Sequence, residues 1–386
     1  MFVNKLSKNH KNKKAMKTKL LILVVALIAT TALWASNTIT YTATEKLSGY
    51  NGSLNQGSTI FGPAITSHTF SNGTGTIVCS GEVTTIGPFA FAKCKDLISL
   101  NLSNSITLLD TCAFGGCTGL TSVTIPSSVT TIRYGAFALC SNLTSVTIPN
   151  SVITIEESAF QECSSLTSVT IPNSVTTIGA SAFYNCSGLT SVTIPNSVTT
   201  IENYVFSKCS SLPSITIPNS VKTIADYAFN DCSSLTSVTI GNSVTTIGDW
   251  AFACCSSLTS VTIPNSVKTI GLAAFQECSS LTSVTISSSV TTIGQQTFAY
   301  CSGLASVIIP NSVITIGDFA FAYCSGLTSV TIGNTVKTIG YSAFYNCNKL
   351  TSVDLSSLTT LSRGNSAMQY CFSNCTGLTS VDLSSL

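Results

Sequence analysis

The sequence predicts a repeat solenoid, mainly β with short helical or 3-10 turns, built from about thirteen rungs of 23 residues. The first observation is register. Cysteine recurs every 23 residues from Cys94 to Cys347, twelve times without a slip, and phenylalanine keeps the same step from Phe91 to Phe344. The second is patterning. Each unit carries a short period-two stretch, a proline or glycine corner and a second extended stretch, all with apolar residues at fixed places.

Residues 166–188, LTSVTIPNSVTTIGASAFYNCSG, represent the unit. In Ser168-Val169-Thr170-Ile171 the apolar residues fall on one side and the hydroxyls on the other, as in a strand with one wet face. Pro172 lacks an N–H and ends the strand. Ser174 to Ile178 reads as a second extended stretch with Val175 and Ile178 inward, and Gly179 makes the corner. Ala182, Phe183 and Cys186 then return the chain and face the interior. One such unit buries too little apolar surface to offset the entropy of ordering its backbone, so rungs must stack and seal one another. At strand spacing, thirteen rungs extend about 60 Å.

The unit Leu-x-x-Val-x-Ile-Pro-x-Ser-Val-x-x-Ile-x-x-x-Ala-Phe-x-x-Cys resembles the BspA-type leucine-rich repeat, from about Glu82 to Leu386. The resemblance implies a leucine-rich repeat solenoid. It also implies a surface or secreted protein acting as an adhesin toward matrix proteins, host cells or other microbes. Gly241, Ser287 and Gly333 stand where other rungs have proline, the corner Leu109-Asp110-Thr111-Cys112 lacks its glycine, and five extra residues fall around 361–370. Local bulges are expected at these departures, and no other fold.

Residues 1–35 read as a secretory signal peptide. Lys11, Lys13, Lys14, Lys17 and Lys19 precede a sixteen-residue, mostly apolar run ending at Ala35, with cleavage expected after it and Met16 an alternative start. The run is shorter than the ~20 residues of a spanning helix, which disfavours an uncleaved anchor. No cysteine follows closely enough for lipid attachment, and no later stretch is long and apolar enough to span. Residues 36–81 fall outside the repeat. They read as a turn-rich linker and a β-hairpin through Asn72-Gly73 that caps the first rung. Residues 82–386 form the solenoid. Its last rung stops short of its corner, so that either the natural chain is longer or this open end packs against something, self-association of copies among the options.

The full chain has a net charge of +2, but seven of its seventeen basic residues lie in the signal region. The remainder has 10 basic against 15 acidic residues, a net of −5. Basic residues scattered singly on a mildly acidic chain give no footprint for nucleic acid and no polybasic membrane patch.

Chemistry is sparse, and the sequence predicts neither an enzyme nor a cofactor or metal site. His68 is the only histidine beyond the signal region, and its pairing with Cys79 is the one arrangement in the cap that resembles a catalytic pair. Glu156, Glu157 and Glu162 read better as a solvated turn than as an acid–base pair. No phosphate-binding glycine loop is present. A cysteine step of 23 does not match metal-ligand spacing, and Cys371 and Cys375 have no partner pair. The cysteines are expected as a ladder of buried free thiols acting as small apolar filler. Cys79, Cys112, Cys254 and Cys371 lie off the ladder and are the better candidates for pairing or exposure.

Two surfaces are candidates for binding. The strand face repeats Ser-x-Thr at Ser145/Thr147, Ser168/Thr170, Ser191/Thr193, Ser237/Thr239 and Ser260/Thr262. Such an array suits weak multivalent contact with a glycan or fibrous protein, or simply solubilises a sheet face. The corners vary from rung to rung and carry Phe89, Tyr134, Tyr204, Tyr227, Trp250, Phe319 and Tyr341, with Tyr184, Tyr300, Tyr323 and Tyr345 beside the cysteines. These aromatics suit interface anchors, or stack across corners to shield the solenoid. The expected function is that of an adhesin or interaction scaffold for an extracellular protein or glycan. The alternatives are a binder of ice or a repeating polymer through the Ser/Thr lattice, and a purely structural surface-layer protein.

Overall fold

The computed structural model describes residues 37–355 and 370–382. The expected signal peptide, nearly all of the five-residue insertion and the final four residues, where the open C-terminal rung is expected, lie outside them.

The chain winds as a β-solenoid whose rungs each have three sides. The first side is a three-residue strand such as Ser168–Thr170, and the second is a two-residue strand such as Thr177–Ile178. Both stack in parallel on the same residues one rung away: Ser168 on Ser191, Val169 on Val192, Ile155 on Ile178. Thirteen strands fall in the first column, beginning at Leu97–Asn101, and twelve in the second, so the described residues make about twelve turns. Parallel pairing at a fixed 23-residue step leaves each side chain facing its own copy. Only a sequence repeating at that step can therefore fill the interior.

The third side is the corner, and it differs from the expected helical or 3-10 turn. Among the described residues the one 3-10 helix is Tyr50–Gly52, outside the repeat. Each corner is a chain of tight turns with two residues at positive φ, two before and two after the phenylalanine, such as Ser181 (φ 56°) and Asn185 (φ 55°). These reversals prevent any helical run. For L-residues they cost about 1–2 kcal/mol each, and hydrogen bonding compensates. Ala182, Tyr184 and Cys186 donate N–H groups back to the carbonyls of Gly179, Ser181 and Phe183 at 3.0–3.2 Å. Ser181, Phe183 and Asn185 donate to Asn203, Val205 and Ser207 of the next rung at 2.8–3.0 Å. Alternate N–H groups thus point within the rung and along the axis, and none of these six is left unpaired.

A stack of phenylalanines fills the core under the corner. From Phe91 to Phe372 successive rings lie 5.1–5.6 Å apart and within 3–15° of parallel, all in the interior except the half-buried Phe372. Each register cysteine sits beside this stack and does more than fill space. Its thiol donates to the carbonyl of the phenylalanine one rung back, from Cys117 on Phe91 (2.9 Å) through Cys209 on Phe183 (3.4 Å) to Cys375 on Phe344 (3.1 Å). All seventeen cysteines are unpaired. Of the four off the ladder, Cys79 and Cys371 are buried, against expectation, and Cys112 and Cys254 are half-buried.

The departures from the consensus leave the register intact. The only register shifts among the described strands lie outside the repeat ladders, at Thr42/Ala43 and Ile65/Ser67, so the bulges expected at Gly241, Ser287 and Gly333 do not form. Cys112, at the glycine-free corner, takes the same positive φ (49°) as its counterparts. What the first column does show, from Ser122–Thr124 onward, is two breaks in strand pairing, after Ser191–Thr193 and after Ser283–Thr285. Pro213 explains the first, because it has no N–H to offer the preceding rung where other rungs have threonine. Corner bonds and the phenylalanine stack cross both breaks.

At the N-terminal end an antiparallel sheet closes the stack. Its strands are β1 (Thr38–Ala43), β2 (Ile65–Ser71) and β3 (Thr74–Cys79), ordered β2-β3-β1 and continued by the first-rung strand Leu97–Asn101. β2 and β3 meet through Asn72-Gly73, both at positive φ, the conformation a two-residue hairpin turn requires. β1 is absent from the sequence reading, although Ile39, Tyr41 and Ala43 alternate inward. Phe61, from the loop before β2, lies 5.9 Å from Phe91 and heads the phenylalanine stack.

Two expectations follow from this packing. Phe229→Ala, in the middle of the stack, should lose about 3–5 kcal/mol in chemical denaturation; a loss below about 1 kcal/mol would deny the stack its role. Burial pushes the thiols of Cys140, Cys186 and Cys232 up to about 12. At pH 8 they stay neutral and unreactive, since the thiolate is the nucleophile. An alkylating reagent should therefore label ladder cysteines only on unfolding, after Cys112 and Cys254; rapid labelling of Cys232 in the native state would contradict this.

Candidate binding surfaces

On the strand face, Ser168, Thr170, Ser191, Thr193, Ser237 and Thr239 are all exposed. Serine stands on serine and threonine on threonine within each paired run. Among the described residues these six make no side-chain hydrogen bond within the protein. The threonine just before each strand behaves differently. Thr144, Thr167, Thr190 and Thr259 turn their hydroxyls to the main-chain carbonyl one rung back at 3.0–3.4 Å, reinforcing the ladder. The face therefore offers a regular hydroxyl array, interrupted at the two breaks in pairing.

The corner aromatics fall into separate columns. Tyr204, Tyr227, Trp250, Phe319 and Phe89 occupy the positive-φ position two before the phenylalanine; Tyr134 and Tyr341 sit one residue earlier. Tyr300 and Tyr323 occupy the second positive-φ position, with Tyr184 and Tyr345 beside it. The stacking expected of these side chains is present. Tyr204 stacks on Tyr227 at 4.7 Å, Tyr227 on Trp250 at 6.0 Å, and Tyr300 on Tyr323 at 4.4 Å. Phe319 meets Tyr341 edge-on at 5.4 Å. Yet Tyr204, Tyr300 and Tyr341 remain 37–41% exposed. The rings shield one another on their faces and present their edges to solvent.

Charge is sorted between the sides. From Glu156 to Tyr323 all nine acidic residues lie on the corner: Glu156, Glu157, Glu162, Glu202, Asp226, Asp231, Asp249, Glu277 and Asp318. Lys208 is the only base there, and its ammonium lies 5.4 Å from the Tyr184 ring. The contact with Tyr184, helped by Asp231 and Glu162, holds Lys208 above its usual range. The other two bases of this stretch, Lys222 and Lys268, lie at the entry to the second strand. Burial, with the charges of Asp226 and Asp249 and the neighbouring Tyr204, raises the Tyr227 phenol. This sorting was accessible to sequence reasoning through the 23-residue register; the positive-φ columns were not, since no residue type marks them.

The densest acidic cluster of the sequence resolves into ordinary contacts. Glu156 pairs with Arg133 at 3.7 Å and accepts the Tyr134 N–H at 2.9 Å. His68 and Cys79 do not meet as a pair. The His68 Nε2 lies 2.7 Å from the Tyr41 hydroxyl, which itself accepts the Leu47 N–H at 3.3 Å. The Tyr41 ring reaches His68 by crossing Gly75, where a Cβ would fall 1.9 Å from the ring. Cys79 is buried and its thiol pushed up to about 11. No group of three or more candidate metal ligands converges among the described residues, and no described helix is long and apolar enough to cross a membrane.

Comparison with known proteins returns one family. A family model described as BspA type leucine rich repeat region matches in six copies, over residues 64–190, 176–305 and 291–386. Among solved structures, a leucine-rich repeat protein from Bacteroides ovatus is 25% identical, with a TM-score of 0.56, covering 82% of this chain and 90% of that one. A leucine rich cell surface protein from Faecalibacterium prausnitzii is 29% identical, with a TM-score of 0.48 and coverage of 82% and 86%. None of the curated proteins matches.

Burial, with Lys46 nearby, lowers the His68 pKa below its usual 6.5. The unfolded chain then binds the proton more readily than the folded one. The stability this histidine contributes is present above pH 6.5 and is lost as the pH falls below it toward the folded pKa. Denaturation midpoints should drop over that range in the native protein and drop less in His68→Gln; equal slopes in both would refute the assignment.

Proposed function

We propose that this chain, which belongs to the BspA-type leucine-rich repeat family, is a secreted or cell-surface, non-enzymatic interaction scaffold that holds an extracellular protein, glycan or cell. The observation that carries the reading is the corner. A fixed frame repeats through the core, while Tyr204, Tyr227 and Trp250 stand partly exposed on strained backbone positions that the frame itself does not require to be aromatic. Bulky residues at positive φ are uncommon, and exposed rigid aromatics suit binding anchors. The signal-like N-terminus and the cell-surface relative from Faecalibacterium prausnitzii support an extracellular location. The hydroxyl face is the weaker candidate, because breaks in strand pairing interrupt the regular lattice that ice or a crystalline polymer would demand.

The test is a binding screen of the chain from Ser36 onward against arrayed matrix proteins, glycans and microbial surfaces. Binding is expected to fall at least about tenfold on replacing Tyr204, Tyr227 and Trp250 together by asparagine, which tolerates positive φ. Ser168→Ala with Thr170→Ala should leave it unchanged. A ligand-free screen would refute the scaffold reading; binding indifferent to the aromatic triple but lost with the hydroxyls would move recognition to the strand face.

A further inference from the structure

We propose that the corner ridge around Tyr204, Tyr227 and Trp250 takes a cationic partner, a lysine- or arginine-rich segment of polypeptide lying along the solenoid axis. The inference rests on the scaffold reading and names the partner chemistry of the same surface.

Three observations combine. The first is the fixed carboxylate column beside the rings. Asn203, Asp226 and Asp249 occupy one position on successive rungs, directly before Tyr204, Tyr227 and Trp250. Asn203 Oδ1 accepts the Asp226 N–H at 3.0 Å, Asp226 Oδ1 accepts the Asp249 N–H at 2.8 Å, and Asp249 Oδ1 accepts the Leu272 N–H at 2.7 Å. Each carboxylate is therefore oriented by one oxygen and keeps the other for a partner. The second is the lack of neutralisation. Among the described residues Asp226, Asp249, Asp231 and Glu277 have no ion pair; of the nine acids on the corner only Glu156 has one, with Arg133, and Lys208 is the one base that stands among them. Accumulating like charge on one edge disfavours the free protein, and a cationic partner relieves it. The third is the row of ring edges. Lysine and arginine have long apolar stems that pack on such a ledge while their heads reach the carboxylates, so the aromatic and acidic columns serve the same side chains. A neutral glycan would use the rings but not the sorted charge.

The probe is a fluorescent decapeptide alternating lysine or arginine with serine, compared with its glutamate and glycine counterparts, in anisotropy titrations of the chain from Ser36 onward. Saturable binding of the cationic peptides alone is expected, weakening at least about tenfold between about 50 and 500 mM salt. Asp226→Asn with Asp249→Asn keeps the backbone acceptors and should weaken binding about tenfold. Thr170→Lys with Thr193→Lys changes net charge by the same amount on the exposed strand face and should weaken it much less. Equal effects of the two pairs would mean attraction to net charge only and would overturn the proposal. So would an arrayed partner whose binding needs the aromatic triple but ignores salt and the Asp226/Asp249 pair; that result would leave the scaffold reading standing. Absence of any ligand, peptide or arrayed, would sink both.

Discussion

Every rung must present to its neighbour the same side chain at the same place. Parallel stacking at a 23-residue step places Phe on Phe, Ile on Ile and Ser on Ser, so the interior is a set of columns rather than a pool of interchangeable apolar residues. The phenylalanine column is the clearest case: thirteen near-parallel rings, headed by Phe61, run the length of the described chain. A change in one rung is felt by two neighbours, and stability is a sum over nearest-neighbour interfaces. This constraint explains why substitutions at Gly241, Ser287 and Gly333 are absorbed without a shift in register. The count of residues between inward positions is unchanged there.

The corner pays for this regularity in backbone strain. Two left-handed residues per rung let the chain reverse tightly enough to bring Ala, Phe and Cys inward within six residues. The alternation of N–H groups, one within the rung and the next along the axis, then satisfies the main chain without a helix. The cysteine belongs to the same arrangement. Its thiol gives the phenylalanine carbonyl of the preceding rung a further donor, which alanine or valine could not supply. Because the frame is held by backbone and core, the outward residues of the corner are free to differ, and it is there that aromatic and acidic residues have gathered.

The solenoid was legible from the period, and the family from its resemblance to the pattern of residues that fills each unit. Ser168-Val169-Thr170 and Thr177-Ile178 form the strands that their alternation predicts, and the thiol ladder is buried and unpaired as its spacing implies. Less of the candidate surface could be read. The list of corner aromatics mixed residues that the structure separates into adjacent columns, such as Tyr204 and Tyr134, because a corner one residue out of register looks the same in sequence. β1 escaped notice beside the signal region even though it alternates, since its partners, β3 and the first-rung strand, are distant in the chain.

The sequence by itself determined the period, the inward set and the number of rungs, since these depend only on which residues repeat and at what step. The tertiary structure decided the conformation of the corner, the donor role of the cysteine and the company each outward residue keeps. Those depend on how one rung's carbonyls and rings meet the next rung's N–H groups and carboxylates. Such contacts join residues 22 to 26 apart and leave no local mark on the chain.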